Sequence, residues 1–494
     1  MLARLMTMRS QFETLQMQFS TGQKADTWGK LGADRSVSLT FNQRIGALDS
    51  YASTMTQVAL RMKLMDTSLD RLGEIPTDVK AALDPNIYNV RSDGKTDGQK
   101  AALIALDEAI GLLNADSDGR YLFAGQDTGS KPVVDLDTML HGSGGKAGLD
   151  TFIAERAMAD LGAPDGTGAQ MGRLAVTQAG GVVTLEKPVA TGFGFAITAA
   201  TGTLSNVTVT PTGSPPSEIA FDFTGQPAAG ETIKVALTNP DGTTTTVALK
   251  ATAAADGGAG TFQIGATPDD TAANFAAALG SSIAGVARTD LRAASAIAAG
   301  NNFFDTQNGA APQRVVPVGG DLYAATALAD GDPADTVIWY TGQNDPTTSA
   351  RDDVSARIDG SVTVSYGARA NEAALASVVK SLAVVSVETF DPAVASDAGR
   401  YRALTERVRS DLSFPDGAPA PRDVQAEIAV AAKAVQLAED RNRTTKAAYK
   451  DIVGEVEQVD DEEVAAKLLA LQTQMEASYK TIAMLSELSL VNYV

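Results

Sequence analysis

The sequence predicts an α+β fold: a long antiparallel helical coiled-coil or bundle rod built from both chain termini, with a β-rich head domain inserted between them. Three observations predict it. Near both ends of the chain, apolar residues recur at alternating steps of three and four, the seam spacing of paired helices. Between roughly 136 and 335 that period fades while Gly, Thr and Pro rise. In the same region short β-branched runs alternate with turn residues. Two heptad zones at opposite ends of one sequence pair most economically with each other.

The first helix carries Leu5, Met8, Phe12, Leu15 and Phe19, with Gly22 as its stop. A second helix is expected from Arg35 to Leu72, its seam formed by Leu48, Tyr51, Met55, Val58, Met62, Met65, Leu69 and Leu72. At about 1.5 Å per residue it spans on the order of 50 Å. Pro76 and Pro85 predict a break after it. A third helix, Gln99 to Asn114, presents Leu103, Leu106, Ile110 and Leu113. At the other end, Ala420-Pro421-Arg422-Asp423 opens a helix striped by Val424, Ile428, Ala431, Val435 and Ala438. Asp460 with Glu463 has the spacing of a capping box, and Glu463 sits four residues before Lys467. From there Val464, Leu468, Leu471, Met475, Ser478, Ile482, Leu485 and Ser489 hold heptad positions, with Leu488 beside them. Ser478 and Ser489 are small enough for close helix approach.

In the middle, "ETIKVAL", "TTTTVALKA" and "GTFQIGA" read as strands separated by the turns "NPDG" and "DGGAG". "TPDDTAANFAAALGSSI" reads as a capped helix, so these segments form a β-β-β-α unit. "GGVVTLEK" and "NVTVTPTG" are further strands, and strands return in "ARIDGSVTVSYG" before the helical "NEAALASVVKSLAVV". The expected domains are a terminal coiled-coil core (1–30 and 455–494), a helical rod with some β-structure (31–135 and 336–454), and a β-rich outward-facing insert (136–335) of one or two subdomains.

Composition narrows the function. The chain has 494 residues and a net charge of −20, which argues against nucleic acid and anionic membrane surfaces as partners. It contains no cysteine, which excludes disulfides, thiolate metal sites and cysteine nucleophiles. No cleavable signal peptide is recognised, and no apolar run is long enough to span a bilayer, so no membrane insertion is expected. His141 is the single histidine. It lies in "LHGSGGKAG", framed by no carboxylate pattern, and reads as a loop residue. That stretch fails as a phosphate loop, because Leu140 stands where the first Gly belongs and Ala147 follows Lys146. Asp269-Asp270 and the acidic cluster at 460–463 read as helix N-terminal charge. Asp352-Asp353 lacks the spacing of a calcium loop. No catalytic residue, cofactor or metal site is expected, and the protein is read as a non-enzyme.

The segment "LLALQTQMEASYKTIAMLSELSLVNYV" resembles the C-terminus of the bacterial flagellin superfamily through Leu471, Gln472, Gln474, Ala477-Ser478-Tyr479 and Leu488-Ser489-Leu490. "FSTGQKAD" is similar to the family's turn after its first helix, with Ser20, Thr21, Gly22 and Lys24 in place. Within the superfamily, "DSDGRYLFAGQDTGSKP" resembles the hook-associated proteins of the hook–filament junction at Gly119, Arg120, Tyr121, Leu122, Phe123 and Gly125. The closing Val-Asn-Tyr-Val points the same way. The chain departs from the family in a shorter first helix and in "DTWGK" around Trp28.

The resemblance implies an extracellular structural subunit of the flagellum, exported without a cleaved signal peptide through the flagellar type III apparatus. It implies a homo-oligomer in a tubular ring or filament, with a neighbouring hook-associated protein, flagellin and a cytoplasmic export chaperone as partners. Leu5, Met8, Phe12, Leu15, Phe19, Leu468, Leu471, Met475, Ile482, Leu485 and Leu488 are its candidate assembly residues, buried by neighbouring subunits. One alternative is a flagellin-type filament subunit. Another is a surface adhesin or glycan-binding head with a pocket around Trp339 and Tyr340. The insert is expected to be dispensable, so that deletion of about 140–330 would leave export and incorporation at least partly intact. With no cation site expected, a chelator should leave the melting temperature unchanged. A chelator-induced fall would overturn the metal-free reading.

Overall fold

A computed structural model describes residues 2–166, 168–254 and 258–491, with only the backbone described for Leu2 and 486–491. The chain is mixed α+β, with long helices at both ends and sheets in the middle. It divides into two compact units, Met1–Leu60 with Ala356–Val364 and Val430–Val494, and Arg61–Ser355 with Ser365–Ala429.

The first unit contains α1 (Leu2–Thr21), the N-terminal part of α2 (Arg35–Ala82), the C-terminal part of α10 (Pro421–Glu457) and α11 (Asp461–Val491). The α2 and α10 portions run antiparallel. Glu457 accepts from Asn42 Nδ2 at 3.2 Å and also from Ser38, Phe41 meets Tyr449 edge-on, and Asn442 Nδ2 donates to Leu48 O at 2.9 Å. The Arg44 guanidinium lies over both rings of the Phe41–Tyr449 pair. Met55, Val58, Val435 and Ala438 are buried, as their heptad spacing requires. Arg441 Nη2 reaches Asp359 Oδ2 at 2.6 Å, anchoring the 356–364 hairpin tip to α10.

In the second unit, α2 continues past Pro76 to Ala82, beyond the expected stop at Leu72. A proline removes one helical donor. Leu72, Ile75 and Val79 around it are buried, and that packing carries the helix onward. α3 (Asp97–Leu113) opens on a capping box between Thr96 and Gln99. It packs against α8 (Ala373–Val387), a helix buried on nearly every side. The Lys95 ammonium caps the C-terminus of α8, reaching the carbonyls of Ser386, Val387 and Glu388 at 2.6–2.7 Å. α9 (Asp397–Asp411) and α7 (Arg292–Phe304) also pack on α8, and α5 (Leu149–Leu161) packs on α7. An aromatic ladder from Phe152 through Phe303 and Phe304 to Trp339 ties these layers, with ring centroids 4.9–5.2 Å apart. The short α4 (Leu136–His141) and the hairpins β1 (Asp116–Ser117)/β2 (Arg120–Tyr121) and β11 (Gln313–Val315)/β12 (Leu328–Asp330) fill the connections, whereas the hairpin β13 (Ser355–Arg357)/β14 (Thr363–Ser365) belongs mostly to the first unit.

The β-rich region holds two four-stranded sheets. One is antiparallel, ordered β3 (Ala175–Ala179), β4 (Val182–Glu186), β7 (Pro216–Phe223), β6 (Val207–Gly213). The other is ordered β10 (Thr261–Gln263), β9 (Thr244–Thr252), β8 (Thr232–Thr238), β5 (Ala196–Thr203), with β10 parallel to β9. The predicted "DGGAG" turn lies partly outside the described residues, at Asp256 and Gly257. Both sheets turn their apolar faces onto α6 (Pro268–Val286) and share one core with it. Phe275 sits among Phe221, Phe223 and Phe262 at 5.1–5.3 Å.

This arrangement argues against a dispensable 140–330 segment. That span removes α5 and α7, and with them Phe152, Phe303 and Phe304 from the ladder beneath α8. Asp241, in the predicted "NPDG" turn, also accepts from Arg407 Nε of α9 at 2.7 Å, and both side chains are largely buried. A 140–330 deletion is therefore expected to lose its cooperative thermal transition. A deletion variant that melts as sharply as the full chain would refute this account of the core.

Candidate assembly surface

The predicted assembly residues lie on α1 and α11. Gly22 ends α1 in the left-handed region at φ 67°, with its N–H on Gln18 O at 2.8 Å, a C-terminal cap that glycine adopts at no steric cost. At the other end of the sequence, Asp460 accepts from Glu462 N–H and Glu463 N–H at 2.9 and 3.2 Å, opening α11. The two interruptions are joined. Lys24 N–H donates to Glu457 O at 2.7 Å, Val459 N–H donates to Gly22 O at 3.0 Å, and Gln23 bridges Gln458 in antiparallel sense. From this junction α1 and α11 run antiparallel and pack together.

The two seams meet within one chain. Leu15 and Leu471 line one stretch of groove beside the pair, and Leu5, Met8, Ser478 and Ile482 line another. Met8, Val464 and Leu471 are buried, while Leu5, Phe12, Leu15, Leu468, Met475 and Ile482 are half-buried. The seam is not consumed at its ends. Phe19 is 52% exposed and Leu485 48% exposed, and Met6, Trp28, Leu469, Tyr479 and Met484 are exposed as well. The Leu488 side chain lies outside the described residues. Within one chain the two helices cover the middle of the stripe in part and leave its ends open.

The segment that carries the junction resemblance forms a knot in the second unit. Asp118 and Gly119 turn with positive φ between β1 and β2. Leu122, Phe123 and Ala124 are buried, and their backbone is bonded to two other segments: Ala370 N–H donates to Phe123 O and Gln343 N–H to Ala124 O. Gly125 has φ 64°, and a Cβ there would come within 2.8 Å of Asp353 Oδ2 and 2.9 Å of Gln343 Cβ. Asp353 is itself buried against Arg369, whose Nη2 lies 2.9 Å from its Oδ1. Of the paired aspartates at 352–353, one is therefore neutralised by a guanidinium. Burial raises the nearby Glu372 carboxyl while Arg351 draws it back.

Other sequence candidates resolve differently. Asp270 forms a capping box with Thr267 at the start of α6. His141 ends α4 instead of lying in a loop, and its Nδ1 is 3.0 Å from Asp150 Oδ2. The glycine-rich turn brings that carboxylate back to it, which sequence inspection missed. Trp339 and Tyr340, expected around a pocket, are packed in the interior. Both are buried, Trp339 Nε1 donating to Phe304 O at 3.2 Å and Tyr340 OH to Gln343 O at 3.1 Å. Among the described residues no group of three or more His, Asp or Glu side chains is placed to hold a metal ion, and no helix is long and apolar enough to cross a membrane. No protein-family model matches the chain, and no curated protein matches it significantly.

Replacing Leu471 by Asp puts a charge into the α1–α11 contact at a cost of about 2–4 kcal/mol. Hydrogen exchange should then lose protection across 2–21 and 461–485. Leu485→Asp, at an exposed position, should leave that protection unchanged. Equal effects from the two variants would mean that the seam is not used as described.

Proposed function

We propose that this protein is a non-enzymatic structural subunit of the bacterial flagellum, a hook-associated protein that joins hook to filament. The observation that carries the reading is the half-used seam. A pair of terminal helices fills its middle within one chain and leaves Phe19, Leu485 and a set of further apolar side chains open to water. A two-helix layer with apolar residues on its outside gains stability when further helices cover it. Packing of α1 and α11 with those of neighbouring copies, as a coiled-coil lining of a tubular ring, supplies that cover. The matches at Gly119–Gly125, Ala477–Tyr479 and Leu488–Leu490 support the same family.

The mechanism in this reading is mechanical. Helix pairs on either side of the 22–24/457–459 junction carry torque, while the junction gives the subunit a place to adapt between two lattices. Export occurs without a cleaved signal peptide, an export chaperone covers the C-terminal stripe in the cytoplasm, and the working location is extracellular. A flagellin-type filament subunit would share this architecture and differ in copy number.

Immunogold labelling of isolated flagella tests the reading. Label confined to the base of the filament is expected. Label along its whole length would replace the junction by a filament subunit, and no label would remove the flagellar assignment. Leu485→Asp should abolish incorporation and motility with the monomer's melting temperature unchanged.

A further inference from the structure

The two sheets of the β-rich region share one core, so their outer faces point away from each other. Those faces carry opposite charge. On the first, register and alternation place Glu186, Glu218 and Asp222 outward among Thr184, Thr208 and Thr210, with Val183, Leu185, Ile219 and Phe221 inward. No basic side chain stands on that face. The adjacent Lys187 turns its ammonium to the carbonyls of Thr191 and Phe193. On the second sheet, Lys234 and Lys250 stand outward among threonines and alanines, on neighbouring strands offset by two residues, with no carboxylate on the face. Among the described residues none of these five charged groups has a hydrogen-bond or ion-pair partner.

The acidic face also contains an unfavourable pair. Glu186 and Glu218 are directly opposite across β4 and β7. Like charges at such cross-strand positions are destabilising, their Cβ atoms being about 5 Å apart. The second unit tolerates this with nothing of its own to offset it. Amines brought from outside would turn the same two carboxylates into a favourable site.

We propose that the β-rich regions of neighbouring copies dock head to tail, the Lys234–Lys250 face of one copy on the Glu186–Glu218–Asp222 face of the next. The occupant of each face is a second copy of this chain. The argument is charge complementarity in a molecule whose net charge of −20 otherwise makes copies repel. A face meeting a different face is a heterologous contact, which generates rings or helical arrays instead of closed dimers. The inference goes beyond the flagellar reading and stands without it, because it concerns the sheets and not the terminal helices.

Isotopically heavy and light full-length chains, mixed at low salt and treated with a carbodiimide that joins amines to carboxylates, test it. Mixed-isotope links from Lys234 or Lys250 to Glu186, Glu218 or Asp222 are expected, falling about tenfold at high salt as screening shortens the reach of the charges. Links elsewhere without links between these faces would overturn the proposal, whatever the terminal helices do. Glu186→Lys/Glu218→Lys and Lys234→Glu/Lys250→Glu should each lose face-to-face links alone and regain them when mixed. A mixture that stays unlinked while both variants melt like the parent chain would also overturn it. The milder Glu186→Gln/Glu218→Gln should raise the melting temperature while lowering the yield of links. Unchanged links to Asp222 with no thermal gain would count against the proposal.

Discussion

Two backbone hydrogen bonds, from Lys24 N–H to Glu457 O and from Val459 N–H to Gly22 O, join the opposite ends of the sequence. They set which residue of α1 faces which residue of α11, and which residue of α2 faces which residue of α10. The chain between Arg61 and Ala429, apart from the Ala356–Val364 segment that belongs to the first unit, becomes a long loop whose ends are held together. Closing so long a loop costs entropy that grows only slowly with its length. A few side chains therefore suffice to hold it: Glu457 between Ser38 and Asn42, Asn442 on the Leu48 carbonyl, and the Met55–Val435 layer.

The terminal helices, α2 and α10 were legible in the sequence because their burial is one-sided. A one-sided helix writes its period into the apolar pattern, and Val424, Ile428, Val435 and Ala438 are buried as that pattern requires. α7 was not legible. Its "RAASAIAAGNNFF" is buried around nearly its whole circumference, so small residues appear at every position and no period survives. α9, with four arginines and two aspartates among its 15 residues, looks solvent-facing in sequence. In the fold Arg400 bonds Glu388 and Asp397, and Arg407 reaches Asp241. Asp397 is a local i,i+3 partner, but Glu388 lies 12 residues away and Asp241 lies 166 away, beyond what a local window includes.

The candidate surface was legible as a set of residues but not as a division of labour. Heptad spacing treats Leu471 and Leu485 alike, and only the register of α1 against α11 buries one and exposes the other. The same limit governed the middle region. The strands "TIKVALT" and "TTTVALKAT" could be read from their alternation, whereas the opposition of Glu186 to Glu218 depends on which strands pair and in what register. His141 and Asp150, and likewise Asp353 and Arg369, are meetings made by turns.

The alternation in β4, β7, β8 and β9 has a consequence for how this protein can diverge. Every second residue enters the Phe275 core, and the intervening residues touch only water or a neighbour. Substitutions at the outer positions shift stability by about half a kcal/mol or less, while the inner ones are felt through packing. The fold thus stores two texts on the same strands. One is written in Ile233, Val235, Leu237, Val247 and Leu249 and is nearly fixed by volume. The other can be rewritten residue by residue, giving lineages of this protein different exteriors over an unchanged interior.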